Sequence, residues 1–121
     1  MKFVLIFLGG GIGSVLRFYL GKIITSTSSN VFPLATISVN AFSSFILGLL
    51  AAYTASKLNS DNLWLFLAVG FCGGFSTFSA FSLEVFQFIK SGMIVMALLN
   101  ILLSVVACVT ALWIGYSIVS K

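Results

Sequence analysis

Four long apolar stretches follow one another along this chain, separated only by short polar breaks. They run from about Phe3 to Ile24, Phe32 to Ala55, Leu63 to Ile89 and Met93 to Val119. A helix needs about 20 largely apolar residues to cross a bilayer, and each stretch supplies that length. The intervening residues have the chemistry of turns. Thr25 to Asn30 is rich in Ser and Thr, Ser56 to Asn62 carries Lys57, Asn59 and Asp61, and Lys90, Ser91 and Gly92 form the tightest connection. Pro33 suits the start of a helix. Charged residues are 7% of the chain against 60% hydrophobic, where water-soluble domains carry about 25% charged residues. The expected fold is an all-α membrane protein, a single four-helix transmembrane domain over residues 1–121 with the lipid bilayer as its solvent. No segment could form a second domain.

The same sparseness excludes several functions. Net charge is +4, from six Lys and Arg against two acids, with no basic run. A nucleic-acid partner therefore has no electrostatic footprint. The absence of His removes imidazole metal sites, Ser-His-Asp machinery and the usual proton shuttle. No nucleophile–base pair exists, so an enzyme is not expected. Cys72 and Cys108 lie in apolar sequence without zinc-site spacing and read as small buried residues. Lys2 and the run Phe3 to Leu8 resemble the start of a signal peptide. That run is shorter than the roughly 7–15 apolar residues of a signal, and no cleavage is expected.

Four spans put both ends of the chain on one side of the membrane. Lys2, Lys57 and Lys121 fall on that side, Lys22, Lys90 and Arg17 on or near the other. Lys/Arg asymmetry normally sets orientation, and here it is nearly absent. The expectation is dual topology, which permits an antiparallel homodimer. Helix contact surfaces are also legible. Gly9 and Gly13 have the spacing that lets two backbones approach closely, and Ser44 and Gly48 repeat it in the second span.

Polar residues inside the spans point to function. The third span carries Gly73 and Gly74, followed by Ser76, Thr77, Ser79 and Ser82. Glycine pairs with flanking hydroxyls are a common way to break a transmembrane helix, so the third helix is expected to be broken. Freed carbonyls at such a break can coordinate a cation, and a half-helix N-terminus favours an anion. A simple kink with local repair is the blander reading. At about 100° per residue, Phe78, Phe81, Ser82 and Ser79 share one contiguous face, half aromatic and half hydroxyl. Aromatic ring edges are positive, so such a face suits a small, partly dehydrated anion. Packing phenylalanines and serines bonded to their own backbone would explain it too. Asn40, deep in the second span, offers amide donors without negative charge, or an interhelical hydrogen bond. Asn100, Ser104 and Cys108 form a polar stripe on the fourth span that could line a pathway or bond neighbouring helices. Arg17 and Glu84 are charges within spans, and such residues usually mark function. Arg17 could also snorkel to the surface, and Glu84 could pair with a cation or face a vestibule.

The run GFCGGFSTFSAFSLE, Gly70 to Glu84, resembles the signature of the Fluc/CrcB fluoride channels. GGGIGSVLRFYLG, Gly9 to Gly21, is similar to that family's glycine-rich first helix, and TISVNAFSSFILG, Thr36 to Gly48, to its second-helix motif. The resemblance covers nearly the whole chain. It implies a dual-topology homodimer with two antiparallel pores in a microbial plasma membrane, exporting fluoride passively and conferring fluoride resistance. Carried over, Phe78 and Phe81 would present ring edges to fluoride beside Asn40, with Ser79, Ser82 and Ser104 on the hydroxyl track. A structural sodium ion would be held at the dimer interface by the backbone carbonyls of Gly73 and Ser76. Three positions depart from the commonest pattern. Ser76 stands where Thr is usual, Ala80 where a hydroxyl is frequent, and Asn100 where Tyr is expected. Two rivals share part of the pattern. A small multidrug-type proton-coupled exporter would need a carboxylate in the middle of the first span, which has Arg17 and no acid. A non-transporting membrane assembly subunit would use only the small-residue seams.

Overall fold

The computed structural model describes residues 1–27, 32–55 and 61–120. Its described residues are helical apart from short connections. Helix α1 is Lys2–Thr27, α2 is Leu34–Ala55, α3 covers 61–75, α4 is Phe78–Lys90 and α5 is Ile94–Val119. Within α3, Trp64–Cys72 winds as a π-helix between short α-helical ends. Four helical segments are long and apolar enough to cross a membrane: Lys2–Thr27, Leu34–Ala55, Asp61–Lys90 and Ile94–Val119. The first and third reach a few residues further than the hydropathy suggested. The connectors expected at Thr25 to Asn30 and Ser56 to Asn62 fall largely on 28–31 and 56–60, outside the described residues, as do Lys57 and Lys121.

Local chemistry explains the helix ends that are visible. The Pro33 carbonyl accepts from the Ile37 N–H at 3.3 Å, so proline starts α2 where its own missing donor costs nothing. The tight turn after α4 closes with Gly92 N–H on the Ile89 carbonyl at 3.0 Å and Met93 N–H on the Phe88 carbonyl at 2.8 Å. Gly92 has φ 76°, the left-handed geometry this closure needs and glycine adopts freely.

The helices pair along two seams where glycines let the backbones meet. α1 lies against α3, and α2 against α5, the most extensive pairing. Gly9 and Gly13 are the only buried residues of α1. A Cβ on Gly13 would overlap the Phe71 carbonyl and stand 2.8 Å from the Phe75 nitrogen. From the other side, a Cβ on Gly70 would stand 2.9 Å from the Ile6 carbonyl, and one on Gly74 would overlap the Gly10 carbonyl. The wider π winding, closed by bonds five residues apart, keeps Phe66, Gly70 and Gly74 facing α1. The α2–α5 seam has the same construction, with Gly48 against the Leu112 carbonyl and Gly115 against the Phe45 carbonyl. Ser44, by contrast, donates to its own helix at the Asn40 carbonyl, 2.9 Å away.

Most large apolar side chains point outward. Phe3, Phe7, Val15 and Phe18 on α1 and Val95, Leu102, Val109 and Trp113 on α5 are all exposed. In water that surface would be untenable, and in lipid it is ordinary. Since lipid offers apolar groups no advantage in being buried, van der Waals contact between backbones holds such helices together. The seams therefore carry the stability. Gly13→Ala is expected to lose about 2 kcal/mol or more by forcing α1 off α3. Gly11→Ala, where a Cβ meets nothing within 4 Å, is expected to stay within about 0.5 kcal/mol or gain slightly. Thermal unfolding of the two variants in one detergent checks this, and equal losses would remove the seam from the account.

Candidate functional site

Helical geometry stops at Phe75 and resumes at Phe78. Between them Ser76 (φ −77°, ψ 158°) and Thr77 (φ −149°, ψ 112°) are extended. Gly73 and Gly74 themselves are helical, so the glycine pair is not what turns the chain. Two extended residues at membrane depth strand several backbone groups, each costly in hydrocarbon. Side chains from α1 and α2 meet them. Asn40 donates through Nδ2 to the Thr77 carbonyl at 3.1 Å and accepts the Thr77 N–H on Oδ1 at 2.7 Å. A primary amide is the side chain that can do both at once. From α1, Arg17 Nη1 donates to the Ser76 carbonyl and Ser14 Oγ to the Gly74 carbonyl, each at 3.4 Å. The Cys72 carbonyl takes the Ser76 N–H at 2.9 Å, the Ser76 hydroxyl at 2.7 Å and the Ser43 hydroxyl at 3.2 Å. Thr77 then caps α4, its hydroxyl accepting the Ala80 N–H at 3.2 Å.

The Gly73 carbonyl is among those passed over. In an unbroken helix Gly73 O would accept from the Thr77 N–H, which Asn40 Oδ1 takes instead. Gly73 is exposed, and a Cβ there would meet nothing within 4 Å.

The predicted aromatic face follows directly. The Phe78 and Phe81 rings lie 5.5 Å apart between centroids and tilted by 42°. Phe78 is 79% exposed. Phe75, three residues earlier, is the opposite case. It is 1% exposed, stacked on Phe71 at 5.3 Å and edge-on to Phe42 at 6.0 Å. Ser79 is exposed with its hydroxyl 3.3 Å from that of Thr77. Ser82 donates to its own helix at the Phe78 carbonyl, 2.9 Å away.

The remaining candidates form a second group. Ser104 is buried and donates to Asn100 Oδ1 at 3.2 Å. Asn100 is fully buried with Nδ2 unpaired. Glu84 accepts from the Thr36 hydroxyl on Oε1, while Oε2 is buried without a donor. Asn100 lies beside Glu84, with neither its Nδ2 nor Glu84 Oε2 paired. Arg17 and Glu84 therefore go to different partners. Cys108, the last residue of the stripe, is a half-buried free thiol.

Two cavities meet at Arg17, and the first of them reaches the extended segment. One, of about 430 Å³, is lined among others by Arg17, Thr36, Thr77 and Ser79. The other, of about 510 Å³, is lined by Arg17, Lys22, Thr25 and Ser26 among others. They share Arg17 and Gly21, and neither lining includes a carboxylate. The combination of cations and hydroxyls favours anions over cations there.

Ser14, Thr36 and Ser43 were not singled out from sequence, and Thr77 was read only as one of the hydroxyls beside the glycine pair. Ser14 and Arg17 are three residues apart, on the glycine-lined side of α1, and that spacing was a usable signal. Thr36 and Glu84 are 48 positions apart, which no local pattern reveals.

Comparison with known proteins agrees over most of the chain. Residues 4–116 match the family described as CrcB-like protein, Camphor Resistance (CrcB). A protein of Novosphingobium aromaticivorans named fluoride-specific ion channel FluC is 45% identical over 113 residues, covering 92% of this chain and 90% of that one. Proteins with the same name from Pyrococcus furiosus and Pyrococcus abyssi are 42% and 37% identical, covering 93% of this chain and 90% and 91% of theirs. Four apolar spans, the polar interruption of the third and these similarities together make this multi-pass membrane protein a member of the CrcB-like family.

Proposed function

We propose that the chain is a fluoride-selective channel that lets fluoride leave the cytoplasm passively and so confers fluoride resistance. The observation that carries this reading is the extended Ser76–Thr77 segment. Its Thr77 lines a cavity with Arg17, Thr36 and Ser79 and no carboxylate, and the Phe78–Phe81 ring pair follows it on α4. The names of the relatives, fluoride-specific ion channel, support it.

Fluoride is small and strongly hydrated, so a path must replace its water with donors. Asn40 has one amide hydrogen left after bonding Thr77. The Thr77 and Ser79 hydroxyls and the Phe78 and Phe81 ring edges continue the path. Ser82 joins it by rotating away from the Phe78 carbonyl, and Ser104 acts through Asn100, to which it is bonded. Arg17 draws anions into the vestibule. Neutral hydrogen fluoride crosses membranes unaided and ionises in a neutral cytoplasm. The negative interior then drives the anion out, so a passive path suffices.

The active form in this reading is an antiparallel homodimer in a microbial plasma membrane. The weak Lys/Arg bias permits both orientations, and the exposed Phe78 ring and open cavities gain a wall from a second copy. The resemblance also implies a structural sodium ion. The Gly73 carbonyl, left without the Thr77 N–H, fits a backbone-ligated cation, with the Ser76 carbonyl as its neighbour. Such an ion would supply a point of positive charge that ties extended segments together. The multidrug-type alternative lacks its carboxylate in α1. The assembly-subunit alternative accounts for the glycine seams but assigns no role to the Phe78–Phe81 pair.

Reconstituted in liposomes, the protein is expected to release fluoride rapidly and retain chloride. Asn40→Ala should slow fluoride efflux at least about tenfold, since a hydrogen bond to a charged group contributes about 1.5–3 kcal/mol. Phe81→Ile should slow it comparably, and normal efflux from that variant would remove Phe81 from the pathway. Cross-linking between opposite-facing copies in native membranes checks the dimer, and its absence would sink the antiparallel arrangement.

A further inference from the structure

We propose that Arg17 is a specificity-determining residue for the cation at the interruption, admitting a monovalent ion and rejecting divalent ones. The inference rests on the sodium reading given above and goes beyond it. A carbonyl oxygen has two lone pairs. That of Ser76 spends one on Arg17 Nη1, 3.4 Å away, and keeps one for a cation. The guanidinium carries its full charge, so any ion on Ser76 O sits one oxygen atom away from a positive group. No carboxylate is bonded to Arg17 or Ser76 among the described residues. Glu84 is bonded to Thr36 instead, and no group of three or more His, Cys, Asp or Glu that could hold a metal occurs among the described residues. The site is thus built of neutral carbonyls beside a fixed cation. Like-charge repulsion scales with the charge of the ion. A sodium ion feels it once and a calcium or magnesium ion twice, so Arg17 weakens the first and excludes the second.

A purely structural Arg17 makes the opposite prediction. If it only steadied the Ser76 carbonyl, any replacement would loosen the site and weaken every ion. If its charge sets specificity, Arg17→Gln, which keeps an amide donor and loses the charge, should bind sodium about tenfold more tightly and gain about a hundredfold in calcium affinity. Arg17→Lys, which keeps the charge, should match the wild type. The experiment is equilibrium binding of radiolabelled sodium to purified protein, with displacement by calcium chloride. In the wild type, calcium at about hundredfold excess over sodium should leave the label bound, a readout that needs no variant. Displacement there, or sodium binding by Arg17→Gln that is unchanged or weaker, overturns the role of Arg17 while leaving the sodium reading intact. A wild type that binds no sodium overturns both.

Discussion

The amide of Asn40 on the Thr77 backbone is the contact on which the rest depends. A chain in hydrocarbon has no water to satisfy a backbone that leaves its helix. At Ser76 and Thr77 it leaves for two residues, and Asn40 replaces both halves of the lost bonding at Thr77. Arg17 and Ser14 cover the carbonyls on the other side. The interruption is thus braced from two neighbouring helices, and a fixed geometry at that depth is what a selective path for a dehydrated ion requires.

The bracing works only because the braces are close. Arg17 and Ser14 reach across because α1 touches α3 backbone to backbone at Gly13 and Gly74. Ser43 joins α2 to α3 at Cys72, its hydroxyl on the Cys72 carbonyl and the Cys72 thiol on its own carbonyl. The α2–α5 seam at Gly48 and Gly115 sets Asn100 and Ser104 against the middle of the bundle. The residues that set these distances are therefore mostly those with no side chain at all. The polar ones then act at distances the glycines have fixed.

Hydropathy made the four spans legible because in lipid the apolar requirement is nearly the whole folding rule. Gly9 and Gly13 were legible as a seam by spacing. Their counterparts Gly70 and Gly74 were not, since the Gly73–Gly74 pair read as a breaker. Both are helical, and the turn falls on Ser76 and Thr77, where side-chain partners rather than intrinsic flexibility make the extended conformation affordable. The π winding of Trp64–Cys72 has no sequence signature, being a choice of hydrogen-bond register made by packing. Asn40 was legible as a polar residue out of place, yet its partner lies 37 positions away and is backbone. Glu84 was visible as an intramembrane charge, while its contact with Thr36 depends on how α2 and α4 cross. Identity of a polar residue reads locally, and partnership does not.

The central claim is that this braced interruption forms a path that takes fluoride and refuses chloride. The most direct test is the reversal potential across a planar bilayer holding the purified protein, with fluoride on one side and chloride on the other. The account predicts a potential close to that of a fluoride-only conductor. A potential near zero, meaning equal passage of the two anions, would contradict it, as would the absence of any current from folded protein.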